Sequence, residues 1–410
     1  MNKTILNPDK LFEFINQKLT PNVKNKKERG EVFTPIELVK EMLDKLPKEV
    51  WTNPDLKWLD PAVGIGNFAI IVYFELMNGL ENWEPDQEKR RKHILENMLY
   101  MVEINNNNII ILNELLCGNK YKLNIFEGSF VNGEQYERIF PTNDKYNIIM
   151  GNPPYNEGKV RRGGRNLYTP FLNKSIDLLD NEFGEIIFIT PISIFKTTNE
   201  KKTPIFTKIK DLHINYINFN NPAKYFKVGS TFCYYNLSRN RHENQLFKTL
   251  INGQIFEDSI YNVSDFNWLP LIPNKETYSI LNKSMKNNLN CIREDYPTTL
   301  QNKVFFKRKN YINYKKPSFK PEIGGKNIEK SVISIYNPLA NQLKNIKTIL
   351  NSNLFKFIYI NINYDGIIYH YLLNLFGIPD NIKNNPTDQD IYNYYGITKE
   401  EIELIEKIVN

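Results

Sequence analysis

The most chemically suggestive stretch of the chain is Asn152-Pro153-Pro154-Tyr155, which follows the apolar run Tyr146–Met150 and Gly151. The two prolines fix the backbone and remove two N–H donors, leaving carbonyl oxygens free to accept. An exocyclic amine on a purine is a poor nucleophile, because its lone pair is delocalised into the ring. The side-chain oxygen of Asn152 and the carbonyl of Pro153, aimed at the amine hydrogens, favour a tetrahedral nitrogen and localise that pair. Such a nitrogen can attack a sulfonium methyl in line, with the rate supplied by positioning and preorganised dipoles rather than by a general base. Tyr155 adds a flat face for the base, which must leave a duplex to reach it.

A second constellation lies upstream. Leu56–Leu59 is a short apolar strand that ends in Asp60-Pro-Ala62-Val-Gly64-Ile-Gly66-Asn-Phe68. Glycines at a strand-to-helix turn let the backbone approach a ligand, and an acid at the strand end suits a cationic amino group such as that of a methionine moiety. A phosphate cradle would avoid that acid. The next strand ends at Glu103, placed to bind both hydroxyls of a ribose, and the one after runs into Gly128-Ser129-Phe130, where Phe130 offers a ring to an adenine. One such group after each successive strand points to a single cofactor site at the carboxyl edge of a parallel sheet.

The surrounding pattern supplies that sheet. Strands are expected at Leu56–Leu59, Leu99–Glu103, Lys122–Phe126, Tyr146–Met150, Glu185–Thr190, His213–Asn218 and Phe232–Leu237, with helices at Ile36–Leu46, Asn67–Asn78, Asn105–Leu116 and Tyr168–Leu179. Pro35 suits a first helical position with Thr34 as its cap. The expected fold class is therefore α/β, a doubly wound Rossmann-like domain. The expected division is a polar leader (1–29), a catalytic domain (30–240) and a mixed α+β domain (241–410) that closes on an amphipathic helix, Thr398–Ile408.

These motifs together resemble the amino-methylating DNA methyltransferases of the gamma order, and most closely the TaqI-like adenine methylases of type II restriction-modification systems. The resemblance covers roughly residues 28 to 240. It implies a class I S-adenosylmethionine methyltransferase domain followed by a target-recognition domain, acting on N6 of a flipped adenine. Arg29-Gly-Glu-Val-Phe-Thr34-Pro35 resembles the family's N-terminal motif, whose Thr-Pro abuts the methionine end of the cofactor. Asp60 to Phe68, Glu103, Gly128 to Phe130 and Asn152 to Tyr155 match later motifs in order. Phe226, with Phe232 in reserve, falls where the family sets an aromatic against the flipped base. Ser129 departs from the pattern, standing where many relatives carry an aspartate that reads the cofactor's adenine, which implies weaker or differently arranged binding.

The charge balance, 53 Lys and Arg against 46 Asp and Glu for a net +7, suits a polyanionic partner, here double-stranded DNA. Lys159, Arg161, Arg162 and Arg165 stand in a glycine-containing loop just after the catalytic motif, fitted to the phosphates beside a flipped base. Lys303, Lys307, Arg308, Lys309, Lys315 and Lys316 interleave with aromatics, as in a DNA-contacting surface. Three cysteines and four histidines make neither a disulfide framework nor a metal cluster. No secretory leader is apparent, and Leu354–Ile378 is too polar to span a bilayer, so a monomeric cytoplasmic protein is expected. Only about 30 residues precede the Thr-Pro motif. Methylation without cleavage is therefore expected, with any restriction endonuclease a separate partner. RNA adenine methylation, glutamine methylation of a release factor and a non-catalytic recognition subunit with a methylase fold are the alternatives. The long chain after Tyr155 disfavours the second, and the intact Asn152–Tyr155 motif disfavours the third.

Overall fold

The computed structural model describes residues 34–131, 145–155, 166–195, 208–209, 211–219, 232–251, 253–261, 268–285, 291–295, 303–307, 322–323, 331–336, 342–362, 373–379 and 384–410. These fall into two compact units, residues 1–245 and 246–410.

The first unit alternates helix and strand: α1 (Ile36–Leu43), β1 (Trp58–Asp60), α2 (Asn67–Gly79), α3 (Gln87–His93), β2 (Leu99–Glu103), α4 (Asn106–Leu115), β3 (Asn124–Glu127), β4 (Ile148–Gly151), α5 (Tyr168–Leu178), β5 (Glu185–Pro191), β6 (His213–Asn218) and β7 (Phe232–Ser238). The strands of this unit lie in the order β3-β2-β1-β4-β5-β7-β6. The β3, β2, β1, β4 and β5 strands are mutually parallel, and β7 runs antiparallel between β5 and β6. The chain leaves β1 toward β2 on one side and returns to β4 on the other, so the carboxyl ends of β1 and β4 meet where the strand order reverses. That crevice is where open α/β sheets bind ligands. The doubly wound α/β expectation holds, and it holds because buried parallel strands read as near-continuous apolar runs. Trp58, Leu59, Ile148, Ile149, Ile186 and Ile187 are all fully buried.

Element bounds shift by one to three residues, with one informative difference. Pro35, not Thr34, is the cap position of α1, and no side chain caps this helix. Thr34 spends its hydroxyl elsewhere. The α3 helix was not anticipated, since Gln-Glu-Lys-Arg-Arg-Lys-His has no apolar period. Asp86 caps it by accepting from the N–H groups of Glu88 and Lys89, and its basic last turn complements the helix dipole.

The second unit carries a hairpin, β8 (Leu246–Ile251) with β9 (Gln254–Ser259), then α6 (Lys275–Ser284). A four-stranded antiparallel sheet follows, from β10 (Cys291–Asp295), β11 (Lys303–Lys307), β12 (Glu322–Ile323) and β13 (Ser331–Tyr336), in the order β10-β13-β11-β12. The helices described after it are α7 (Leu343–Leu350), α8 (Asn353–Ile362), α9 (Asp388–Tyr395) and α10 (Lys399–Val409). The expected closing helix is α10, held at its start by a reciprocal capping box between Thr398 and Glu401. Among the described residues no helix is long and apolar enough to cross a membrane.

Candidate active site

The glycine turn between β1 and α2 is built as its residue types require. Gly66 takes the left-handed conformation (φ +99°) at the start of α2. A Cβ there would lie 2.6 Å from Cδ2 of Leu112, on α4. Glycine therefore answers both a backbone and a packing demand. The turn is tied to β2 by the N–H of Val63, which donates to the Val102 carbonyl at 3.0 Å. A second tie runs from the N–H of Gly64 to Oε2 of Glu103 at 2.8 Å. Glu103 also accepts from the N–H of Asn105 through Oε1 at 2.7 Å, so this buried carboxylate braces both the glycine turn and the entry to α4. Its position at the carboxyl end of β2 is the expected one. Its described bonds are to the backbone.

Asp60 ends β1 at 1% exposure. Its Oδ1 accepts from the N–H of Ala62 at 3.0 Å. Burial pushes its carboxyl up to about 8, with the nearby Glu103 charge adding to the rise. Immediately across the crevice lies Gly151, the last residue of β4, with φ +148°. A Cβ on Gly151 would sit 2.9 Å from Oδ1 of Asp60. Absence of a side chain at 151 is thus what leaves room for the carboxyl group beside the next strand end.

From Gly151 the chain enters the proline motif. Pro153 is buried, while Asn152, Pro154 and Tyr155 are half-buried. The Asn152 amide is gripped at both ends: Oδ1 accepts from the Tyr155 hydroxyl at 2.5 Å, and Nδ2 donates to Oγ1 of Thr34 at 3.1 Å. The Thr34 carbonyl in turn accepts from Nδ2 of Asn67, the first residue of α2, at 2.6 Å. Burial of the Tyr155 hydroxyl pushes its ionisation far above the ordinary phenol value. It is therefore a neutral donor throughout the working pH range. The Tyr155 ring packs at 4.8 Å from that of Phe232, which is 1% exposed.

Several expected site residues are thus brought together: Thr34, Asp60, Ala62, Gly64, Gly66 and Glu103 at the turn, and Asn152 to Tyr155 beside them. Pro35 follows Thr34 at the start of α1, half-buried. Two of the expected aromatic residues lie in the core. Phe68 is 3% exposed inside the apolar core beneath α2. Phe130 is 1% exposed, its ring 5.2 Å from that of Phe171 and 5.1 Å from the ammonium of Lys174. Each is a large apolar ring with core neighbours to cover it, which favours its burial. Phe232, the reserve partner for a flipped base, backs the ring of Tyr155 from within the core instead of offering a face of its own. Ser129 is half-buried at the end of β3.

Ile104 and Asn67 were missed by the sequence reading. Ile104 directly follows Glu103 and is 62% exposed at the carboxyl edge, unlike the apolar residues of β2. The signal was available: a lone isoleucine between a strand-end acid and the polar run Asn105–Asn108. Phe226, the loop cations Lys159, Arg161, Arg162 and Arg165, and Arg308, Lys309, Lys315 and Lys316 lie outside the described residues. Lys303 and Lys307 are the end residues of β11.

Residues 9–203 match the model of the family described as N-6 DNA Methylase. A Mycoplasma pneumoniae protein described as an uncharacterized adenine-specific methylase is 28% identical over 315 residues, spanning 57% of this chain and 71% of that protein. Among solved structures, the modification subunit of a type I restriction enzyme from Vibrio vulnificus aligns over 63% of this chain and 52% of its own, at 15% identity and a TM-score of 0.42. A class I S-adenosylmethionine-dependent methyltransferase from Listeria monocytogenes aligns over 60% and 74%, at 15% identity and a TM-score of 0.41. The chain thus spans about half the length of the type I modification subunit. The segment matched by the N-6 DNA Methylase model, residues 9–203, is the one that holds the glycine turn, the strand-end acids and the proline motif.

Proposed function

We propose that this chain transfers a methyl group from S-adenosylmethionine to the N6 amine of an adenine flipped out of duplex DNA. The observation that carries the reading is the Asn152 amide, fixed at the crevice between β1 and β4 with a buried acid one residue's breadth away. The cofactor fits the residues present. Asp60 is a buried carboxyl held partly protonated near neutral pH, which is the state a cationic amino group would reverse. Gly64, Gly66 and Gly151 keep the backbone open around it, Glu103 stands at the ribose position, and Ile104 offers an apolar surface for the adenine ring. Thr34 and Pro35 border the methionine end. Bound there, S-adenosylmethionine supplies an electrophilic methyl on its sulfonium.

The chain's own residues do the rest by positioning. Asn152 Oδ1 accepts from the Tyr155 hydroxyl, and a carboxamide oxygen can also accept a hydrogen of the target amine. The Pro153 carbonyl takes the other hydrogen. With both hydrogens drawn aside, the amine nitrogen becomes tetrahedral and its lone pair turns toward the methyl group. Tyr155, stiffened by Phe232 behind it, gives the base a fixed face. No side chain of shifted basicity is needed, because the proton leaves after transfer. The basic segments 159–165 and 303–316 supply phosphate contacts on this reading.

The test is expression in a host without adenine methylation, followed by sequencing that detects N6-methyladenine. Methylation at one short motif is expected for the wild type. Removing one preorganised hydrogen-bond acceptor with Asn152→Ala should cost about 10²–10³-fold. Unmodified DNA from a wild-type protein that binds the cofactor would defeat the DNA assignment.

A further inference from the structure

We infer that Thr34 is a positioning residue for Asn152: its hydroxyl holds the nitrogen end of the catalytic amide, so that the oxygen end faces the target amine. The inference rests on the methyltransferase reading above and adds to it a role for a side chain that would otherwise belong only to the cofactor's border.

The geometry has four parts. Thr34 is 4% exposed, so its hydroxyl is not simply solvated. It does not cap α1, which begins with no side-chain cap. Its Oγ1 instead lies 3.1 Å from Nδ2 of Asn152, across a sequence separation of 118 residues. Its backbone is anchored independently, through its carbonyl, to the Asn67 side chain at the start of α2. Thr34 is therefore fixed to the glycine turn from one side and to the catalytic amide from the other.

The chemistry makes the orientation matter. A carboxamide presents an acceptor at one end and a two-hydrogen donor at the other, and the two ends have nearly the same shape. The target amine arrives as a donor. An amide turned with Nδ2 toward it would set donor against donor and leave the amine's lone pair delocalised. The bond from Nδ2 to Oγ1 of Thr34 fixes the far end of the amide in the arrangement that turns Oδ1 toward the amine. The Tyr155 hydroxyl, donating to Oδ1, holds the other end, so the amide is tethered on both sides. Because Thr34 also sits on the start of α2 through Asn67, movement of the glycine turn is transmitted to the amide through one residue. Pocket and catalytic group are linked mechanically without sharing a side chain.

The measurement compares wild type, Thr34→Val (same shape, no hydroxyl) and Thr34→Ser (hydroxyl kept). Single-turnover methyl transfer is followed at saturating S-adenosylmethionine, and cofactor Kd by calorimetry. Loss of one neutral hydrogen bond that acts through Asn152 should slow transfer in Thr34→Val about 10-fold, with cofactor Kd changed less than about two-fold. Thr34→Ser should recover most of the rate, and adding Thr34→Val to Asn152→Ala should cost nothing more. A Thr34→Val enzyme with normal rate overturns the inference. So does one whose whole defect is a raised cofactor Kd, which would make the hydroxyl a cofactor ligand. Thr34→Ala takes the place of the valine variant should valine prevent folding.

A readout independent of activity separates failure of this inference from failure of the functional reading. In protein labelled with 15N-asparagine, the Asn152 amide is the signal absent from Asn152→Asp. It should move in Thr34→Val and stay in Thr34→Ser. A signal unmoved by loss of the hydroxyl overturns the inference even if the wild type methylates DNA. A signal that moves in a wild type inactive on DNA sustains the Thr34–Asn152 link while the DNA assignment falls.

Discussion

The two edges of the first-unit sheet each bury a carboxyl group, and they treat it in opposite ways. At the amino edge, Glu185 begins β5 with its side chain almost wholly buried, and polar side chains surround it. His242 Nε2 lies 2.8 Å from Oε1, and Asn236 Nδ2 donates to Oε2 at 2.8 Å. The same cluster is extended by Asn215, which accepts from the His242 N–H and donates to Ser238. At the carboxyl edge, Asp60 is buried just as deeply, with the Ala62 N–H as its described donor and the acid Glu103 nearby. Burial raises both carboxyls. At Glu185 the imidazole and amide pull back against that rise, with Glu49 adding a lesser push, whereas at Asp60 only the Ala62 N–H pulls against it and Glu103 adds to it. A cluster completed by the protein's own side chains is structural. Asp60, with no cationic partner among the described residues, is on the proposed reading the carboxyl that receives the cofactor's amino group. The same fold thus separates stability from function along the length of its strands.

The sharpest way to break this contrast is to close the crevice at the carboxyl edge. Gly151→Ala places a Cβ 2.9 Å from Oδ1 of Asp60, at a φ of +148° that side chains rarely adopt. The backbone strain alone is about 1–3 kcal/mol. Displacing Asp60 and turning the Asn152 motif should abolish methyl transfer and weaken S-adenosylmethionine binding beyond detection. Calorimetry with the cofactor checks this, with circular dichroism to confirm that the sheet persists. Normal cofactor binding in this variant would mean that Asp60 is not part of the pocket.

Asp60→Asn asks about charge with little change of shape. The folded-state carboxyl is raised from 3.8 to about 8, so its contribution to stability is fully present below pH 3.8 and is lost as pH rises through about 8. The ligand-free protein should therefore melt lower at pH 9 than at pH 6, and the asparagine variant should lose most of that dependence. Cofactor binding has the opposite sign. It needs the carboxylate, so affinity should climb between pH 6 and 8, with a proton released on binding. The neutral amide should weaken binding by about 10- to 100-fold, the value of a hydrogen bond to a charged group, and flatten the climb. Calorimetry in buffers of different ionisation enthalpy measures the proton directly. A wild-type affinity flat from pH 6 to 8 would contradict the proposed role.

At the opposite edge the expectation reverses. His242→Ala removes the 21%-exposed imidazole but leaves Asn236 on Glu185, whose raised carboxyl can take up a proton. The cost should be about 1–3 kcal/mol, a fall in Tm of several degrees. Cofactor Kd and the methylation rate per folded molecule should be unchanged. Reduced activity at full folding would mean that the two edges communicate, and the contrast would lose its meaning.

What the sequence made legible follows the same division. The parallel strands could be read because burial on both faces demands continuous apolar runs, and their ends are marked by acids and glycines. Asp60, Gly64, Gly66, Glu103 and Asn152 were singled out that way, and the structure sets them at the strand ends where they were expected. Partnerships set by tertiary packing were not legible. Nothing local to Thr34 shows that its hydroxyl meets Asn152, and Thr-Pro before an apolar helix reads as an ordinary cap. Phe68 and Phe130 carry no mark that separates a core ring from a ligand-stacking one, and only the surrounding packing decides. The antiparallel strands of the second unit were opaque for another reason. Cys291–Asp295 and Lys303–Lys307 become strands only by pairing with Ser331–Tyr336, far along the chain. The α3 helix depends on Asp86 and on charge, which a search for apolar periodicity passes over.

The smallest expected effect concerns Ile104, and it bears on where the cofactor's adenine ring lies. With Phe130 enclosed by Phe171 and Lys174, the apolar surface left for that ring at the end of β2 is the 62%-exposed Ile104. An exposed isoleucine contributes little to folding, so Ile104→Ala should leave Tm within about a degree. If a purine covers it, truncation removes part of a buried apolar contact worth roughly 1 kcal/mol, a five-fold rise in cofactor Kd. The methylation rate at saturating cofactor should stay the same, since the contact is equal in ground and transition states. Phe130→Leu provides the converse: a core truncation that lowers Tm by several degrees and leaves cofactor Kd almost unchanged. Were the two results exchanged, with Phe130→Leu weakening the cofactor and Ile104→Ala silent, the ring of Phe130 would have to leave its core position on binding. The carboxyl edge would then be a site that rearranges around its ligand instead of one formed in advance.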